Sequence, residues 1–182
     1  MLIKSNWRNI LPAVVAALVA PVIVAVQTTA AATATVAATV TPQNISVSVT
    51  DGSVAYGTLA ISTTKDTTSG GLNDSQTATN DGNIAEDFNI SSTDATGGNT
   101  WTLAGSIGAD QFKHSYCNTG SGSPDPCDTG ATWSAMSTSY TQIANSVAAA
   151  GNSKFDLQIS TPSSVTDYVQ KSITVTVQAV QD

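Results

Sequence analysis

Apolar and polar residues alternate one by one in four separate stretches of this chain: Ile45, Val47 and Val49 in residues 44–50, Phe112 and Tyr116 about His114, then Phe155, Leu157 and Ile159, and last Ile173, Val175, Val177 and Ala179. Successive side chains of an extended strand point to opposite faces, so each stretch can bury one stripe and wet the other. A sheet with one apolar face needs a second layer over it, and two facing sheets satisfy every stripe at once.

Weaker signals fill the gaps between these stretches. Asp51-Gly52 supplies turn chemistry, after which Val54, Tyr56, Leu59 and Ile61 predict a further strand interrupted by Gly57. The polar run 62–83 is long for an unstructured connection, so a short strand is expected over residues 76–79. Ile84, Phe88 and Ile90 suggest the next strand, Trp101 and Leu103 another beyond the Gly97-Gly98 turn, and Trp133 and Ala135 one more. Residues 140–150 also admit a helix, but their Ser, Thr, Asn and Val favour a strand through Tyr140, Ile143 and Val147. With charged residues at 10% of the chain and Thr, Ser, Ala, Gly, Asn and Val dominant, the expectation is an all-β chain: an Ig-like antiparallel β-sandwich of eight or nine short strands.

The N-terminus predicts where that sandwich works. Lys4 and Arg8 precede an uncharged run over residues 10–26, and Ala30, Ala31 and Ala32 follow, the order of an export signal. Pro12 and Pro21 favour a cleaved signal helix over an uncleaved anchor or a retained pilin-like helix, with cleavage expected after Ala32. The expected organisation is a signal peptide over residues 1–32, an Ala/Thr/Val-rich spacer or N-terminal strand over 33–43, and one sandwich domain over 44–182, secreted or held at the cell surface. Cleavage leaves Lys65, Lys113, Lys154 and Lys171 against thirteen acidic residues, a net charge of −9. Such a surface repels phosphate backbones and anionic headgroups, which argues against nucleic acid and, after cleavage, against membrane as partners.

Few residues carry catalytic or metal chemistry. Cys117 and Cys127 flank a Gly- and Pro-rich loop in a chain predicted to be exported, so they are expected to form a disulfide rather than a redox pair, which would need closer spacing. His114 is the single histidine and no nucleophile elbow accompanies it, while Ser62-Thr63-Thr64-Lys65 matches SxxK without its companion motifs. Glu86 and Asp87 are neighbours that a strand would send to opposite faces. No enzyme activity and no cofactor are expected. Calcium is the one ion the oxygen-bearing clusters Asn73-Asp74, residues 80–83 and Asp125/Asp128 could suit, although turn chemistry accounts for them equally. Trp101 and Trp133 read either as core residues or as a stacking face for sugar rings.

The segment Val54-Ala55-Tyr56-Gly57-Thr58-Leu59 with Trp101-Thr102-Leu103 resembles the first half of the WxL pattern of bacterial cell-wall proteins; Trp133-Ser134-Ala135 does not supply the second element. The order of leader, small-residue spacer, residues 51–59, then Asn80-Asp81-Gly82-Asn83 and a strand is similar to secreted sandwiches of the TasA/camelysin type. The chain as a whole also resembles exported proteins of small-genome bacteria. The TasA-type resemblance implies an extracellular fibre subunit assembled by strand donation, for which residues 33–41 would be the donor with Val36 and Val40 entering a neighbour's groove. The rival expectation is an extracellular glycan- or ligand-binding module built on Trp101, Trp133 and the cysteine loop. Partners to expect are thus a second copy, another cell-surface protein or a glycan.

Overall fold

The structure, a computed structural model, describes residues 30–120, 127, 128 and 130–182. The predicted signal helix and Asp125 lie outside the described residues. The chain divides into two units, Met1–Thr39 and Val40–Asp182. Of the first, residues 30–39 take no regular secondary structure and are exposed.

The second unit carries ten strands: β1 (Val47–Thr50), β2 (Thr64–Asp66), β3 (Gln76–Asn80), β4 (Glu86–Ser92), β5 (Thr102–Leu103), β6 (Gln111–Gly120), β7 (Ser134–Ala135), β8 (Thr141–Val147), β9 (Asn152–Ser160) and β10 (Val175–Gln181). Seven form one sheet in the order β1-β3-β9-β6-β5, with β2 also on β9 and β7 also on β6; the other three form a second sheet in the order β10-β4-β8. Pairing is antiparallel except between β5 and β6. The expected two-layer, all-β architecture is what forms, and there is no helix among the described residues.

The alternating stripes explain the core. Phe88 and Ile90 of β4, Phe155 and Leu157 of β9, Ala78 of β3, Tyr116 of β6 and Ile143 of β8 pack with Met136 between the sheets. A second cluster of Ala95, Phe112 and Ile159 lies toward the β5 side and gathers Tyr56, Leu59, Trp101, Leu103 and Ile173 as half-buried neighbours. Each fully covered Phe or Leu in such a core contributes about 1.5–3 kcal/mol relative to leaving it in water. A disulfide joins Cys117, inside β6, to Cys127, with Cα atoms 6.0 Å apart.

Three segments whose local signals are weak or mixed have their outcomes decided by pairing. Residues 140–150 hold β8, because pairing with β4 outweighs weak helix propensity; bulges at Phe88 are bridged by Asp87, whose carboxylate accepts from Gln142 Nε2 and Ser146 N, each at 2.8 Å. β2 has no signature in the sequence, since Thr64-Lys65-Asp66 shows no apolar stripe and owes its strand to the edge that β9 offers. The strand expected through Val54, Tyr56, Leu59 and Ile61 is not one. Asp51 and Gly52 both take positive φ (70° and 64°), Gly57 does so again (74°), and the apolar spacing slips from two to three between Tyr56 and Leu59. The segment therefore leaves the sheet and runs as unpaired backbone, with Val54, Tyr56 and Leu59 turned onto the clusters.

Candidate functional site

That unpaired segment forms one wall of an open groove of about 1320 Å³ along a flank of the sandwich. The opposite wall is the stretch leading into β10, from Val165 through Ile173, with Val175 and Val177; the floor is Phe155, Leu157 and Ile159 of β9. The groove lies here because the sheets differ in width. The three-stranded sheet stops at β10, which has β4 as its strand neighbour and a free edge on its other side.

Register decides what that free edge presents. Val175 faces Ser92 and Gln181 faces Glu86, while the bonds Thr93 N to Thr174 O (3.0 Å) and Ser172 N to Thr96 O (2.8 Å) show that even-numbered residues bond toward β4. The N–H and C=O groups of Val175, Val177 and Ala179 accordingly point away from β4. Their side chains pack toward the core yet stay half-buried. An open sheet edge over an apolar floor is a template for another strand.

A polar chain crosses under the groove. The Tyr56 hydroxyl lies 3.1 Å from His114 Nε2, and Ser92 Oγ lies 3.0 Å from His114 Nδ1. A neutral imidazole has one donor and one acceptor nitrogen, and both hydroxyls can take either role, so this chain is satisfied in either tautomer. His114 is 1% exposed, and burial lowers its pKa to about 4. Tyr56 is raised by burial first and then by the charges of Asp66, Asp74 and Asp156. Both groups are neutral at physiological pH. Ser92 is 2% exposed, so the hydroxyl beside the imidazole is closed to any solute. The arrangement ties the wall segment to β6 and β4.

The far wall is fastened separately. Lys171 Nζ bonds Asp167 Oδ1 at 2.6 Å, donates to the carbonyls of Gly97 and Asn99, and stands 5.5 Å from the centroid of the Trp101 ring. At Gly97 the φ of 114° and the Gln170 carbonyl oxygen, which stands where a Cβ would sit, leave room for glycine alone. Neither this latch nor the Tyr56–His114–Ser92 chain was found in the sequence; an Asp and a Lys four apart were its only trace.

Trp101 lines the groove, half-buried, with its Nε1 buried and without a hydrogen-bond partner. Trp133 sits just ahead of β7, half-buried, outside both apolar clusters and outside the groove lining, so the two rings do not build one face. Of the oxygen-rich clusters, Asn80 uses its amide to cap Ile84 O and Val147 O and accepts from Gly82 N, all at 2.8 Å, while Asp128 accepts from Ser69 N at 2.9 Å. Among the described residues no three His, Cys, Asp or Glu side chains group as metal ligands.

Val36 and Val40 are 93% and 89% exposed. The chain is pinned just after them: Asn83 Nδ2 donates to Pro42 O and Asn83 Oδ1 accepts from Asn44 N, both at 2.8 Å, and Glu86 Oε1 accepts from Ser46 N at 2.9 Å. Side chains at 36 and 40 are thus exposed, while the backbone from Pro42 onward is held. No protein-family model, curated protein or solved structure matches the chain. What fold and site define is a disulfide-closed β-sandwich with an open apolar flank.

Proposed function

We propose that this chain is an exported, non-enzymatic structural subunit of the cell surface or extracellular space, joining copies of itself by strand donation through residues 33–41. The exposure of Val36 and Val40 on a segment outside any strand carries the reading, because exposed branched apolar side chains are a liability unless something covers them. The disulfide agrees with life outside a reducing cytosol. The predicted leader would deliver it there. Removing residues 33–41 abolishes filaments in negative-stain microscopy on this reading, and filaments of unchanged length would refute it.

A ligand-binding module is the second reading, favoured by the groove itself, with Trp101 in its lining and Tyr168 exposed on its wall. A glycan array separates the two: a purely structural subunit binds no sugar on it.

A further inference from the structure

We infer that the turn between β3 and β4 binds a calcium ion, with Glu86 as its charged ligand. Glu86 is 0% exposed; its Oε1 accepts from Ser46 N at 2.9 Å, while its Oε2 has no hydrogen-bond partner among the described residues. None of the described lysines forms an ion pair with it. Burying a carboxylate costs far more than burying a neutral polar group, so buried charges are found paired or bound to metal. With no pairing residue beside it, Glu86 calls for a cation.

The atoms that crowd this carboxylate are themselves acceptors. Glu86 Oε1, the Asn44 carbonyl oxygen and Asn80 Oδ1 all stand within 3.1 Å of the point where a Cβ on Gly82 would sit, so oxygens from three segments converge on one face of the turn. Any side chain at 82 would overlap them. Asn80 cannot turn its amide round, because Nδ2 donates to Ile84 O and Val147 O while Oδ1 accepts from Gly82 N, all at 2.8 Å. Asn44 O accepts from Asn83 N at 3.1 Å and keeps a second lone pair.

This donor set selects the ion. A carboxylate, an amide oxygen and a main-chain carbonyl are the ligands Ca²⁺ takes, whereas Zn²⁺ favours His and Cys, and Mg²⁺ demands a regular octahedron and gives up water reluctantly. Asn44, Asp81 and Asn83 are exposed at the mouth of the turn, which gives an ion its way in and water its place in the coordination shell. The field favours entry too. Asp87 follows Glu86 in the chain, Asp81 lies in the same turn, and Asp182 bonds Ala85 O through its N–H, so acidic residues gather at this end of the sandwich. With one charged ligand the site belongs to the weak class of extracellular modules, with a dissociation constant of about 1 mM. Its effect would be to fasten residues 44–46 to the turn and to β4.

The test uses the full chain, stripped with EDTA, and the ion itself. At constant ionic strength, calcium at about 10 mM is expected to raise Tm by about 4 °C, and magnesium at the same concentration by no more than about 1 °C. Hydrogen exchange read by mass spectrometry is expected to slow with calcium at residues 42–46 and 80–86. Glu86→Gln keeps an oxygen for Ser46 N and loses the charge, so it is expected to lose both responses. No calcium shift in the unaltered chain, an equal shift with magnesium, or slowed exchange away from this turn would overturn the site, and none of these readings needs the variant to fold. A Glu86→Gln protein that folds and still responds to calcium would overturn it as well.

Discussion

The neutral histidine beneath the groove makes stability depend on pH in a calculable way. His114 titrates near 6.5 when the chain is unfolded and at about 4 when folded, because burial disfavours the imidazolium. Between those values the unfolded chain binds a proton that the folded chain does not. The neutral group's contribution is complete above pH 6.5, declines as pH falls, and is exhausted once pH passes through the folded value. Each pH unit that separates the folded from the unfolded titration is worth about 1.4 kcal/mol, so the loss by pH 5 relative to pH 7 is about 2 kcal/mol, and over the full window about 3 kcal/mol. For a domain of this size that corresponds to a fall of about 5–8 °C in Tm from pH 7 to pH 5. The carboxyls of Asp128 and Asp167, lowered by their bonds to Ser69 and Lys171, weaken only as pH drops below the ordinary value of 3.8. Asp74, raised by burial and by Asp51, acts in the opposite sense and at pH above that value. Comparison with a variant that lacks the imidazole isolates its share, since the carboxyls are common to both proteins. Urea unfolding of the chain and of His114→Gln at pH 7, 6 and 5 measures it: the variant starts less stable, having lost bonds to Tyr56 and Ser92, but its stability stays nearly flat. Parallel decline in both proteins would refute the reasoning.

Two further outcomes follow from the same structure. Reducing Cys117–Cys127, which are ten residues apart in sequence, lowers the unfolding free energy by about 3 kcal/mol on loop-closure grounds, measured as a shift in urea midpoint with and without reductant. Lys171→Met removes the donor to Gly97 O, Asn99 O and Asp167, so chymotryptic cleavage after the exposed Tyr168 quickens about tenfold, whereas an unchanged rate means that the latch does not hold this wall.

Much of this fold was legible in the chain because it is written locally. The stripes at Phe88 and Ile90, Phe112 and Tyr116, or Phe155, Leu157 and Ile159 each need only neighbouring residues to declare a strand, and each is a core strand in the structure. The cysteine pair was legible for the same reason, being ten residues apart around Gly and Pro. Val54, Tyr56 and Leu59 show where local reading stops. Their burial was foreseeable, but whether their backbone would find a partner was not, since pairing depends on which strand the rest of the fold leaves beside it. His114 is similar: its alternation placed it on β6, and nothing nearby in sequence announced Tyr56 or Ser92, which lie 58 and 22 residues away.

Period-two alternation and turn residues were therefore enough to require two layers of extended chain, since an amphipathic strand has no other way to bury its stripe. The open flank came from elsewhere. It exists because residues 53–61 leave the sheet and because β10 pairs on one side alone, the latter an outcome of hydrogen-bond register between segments more than 80 residues apart, a quantity that no stretch of sequence carries on its own.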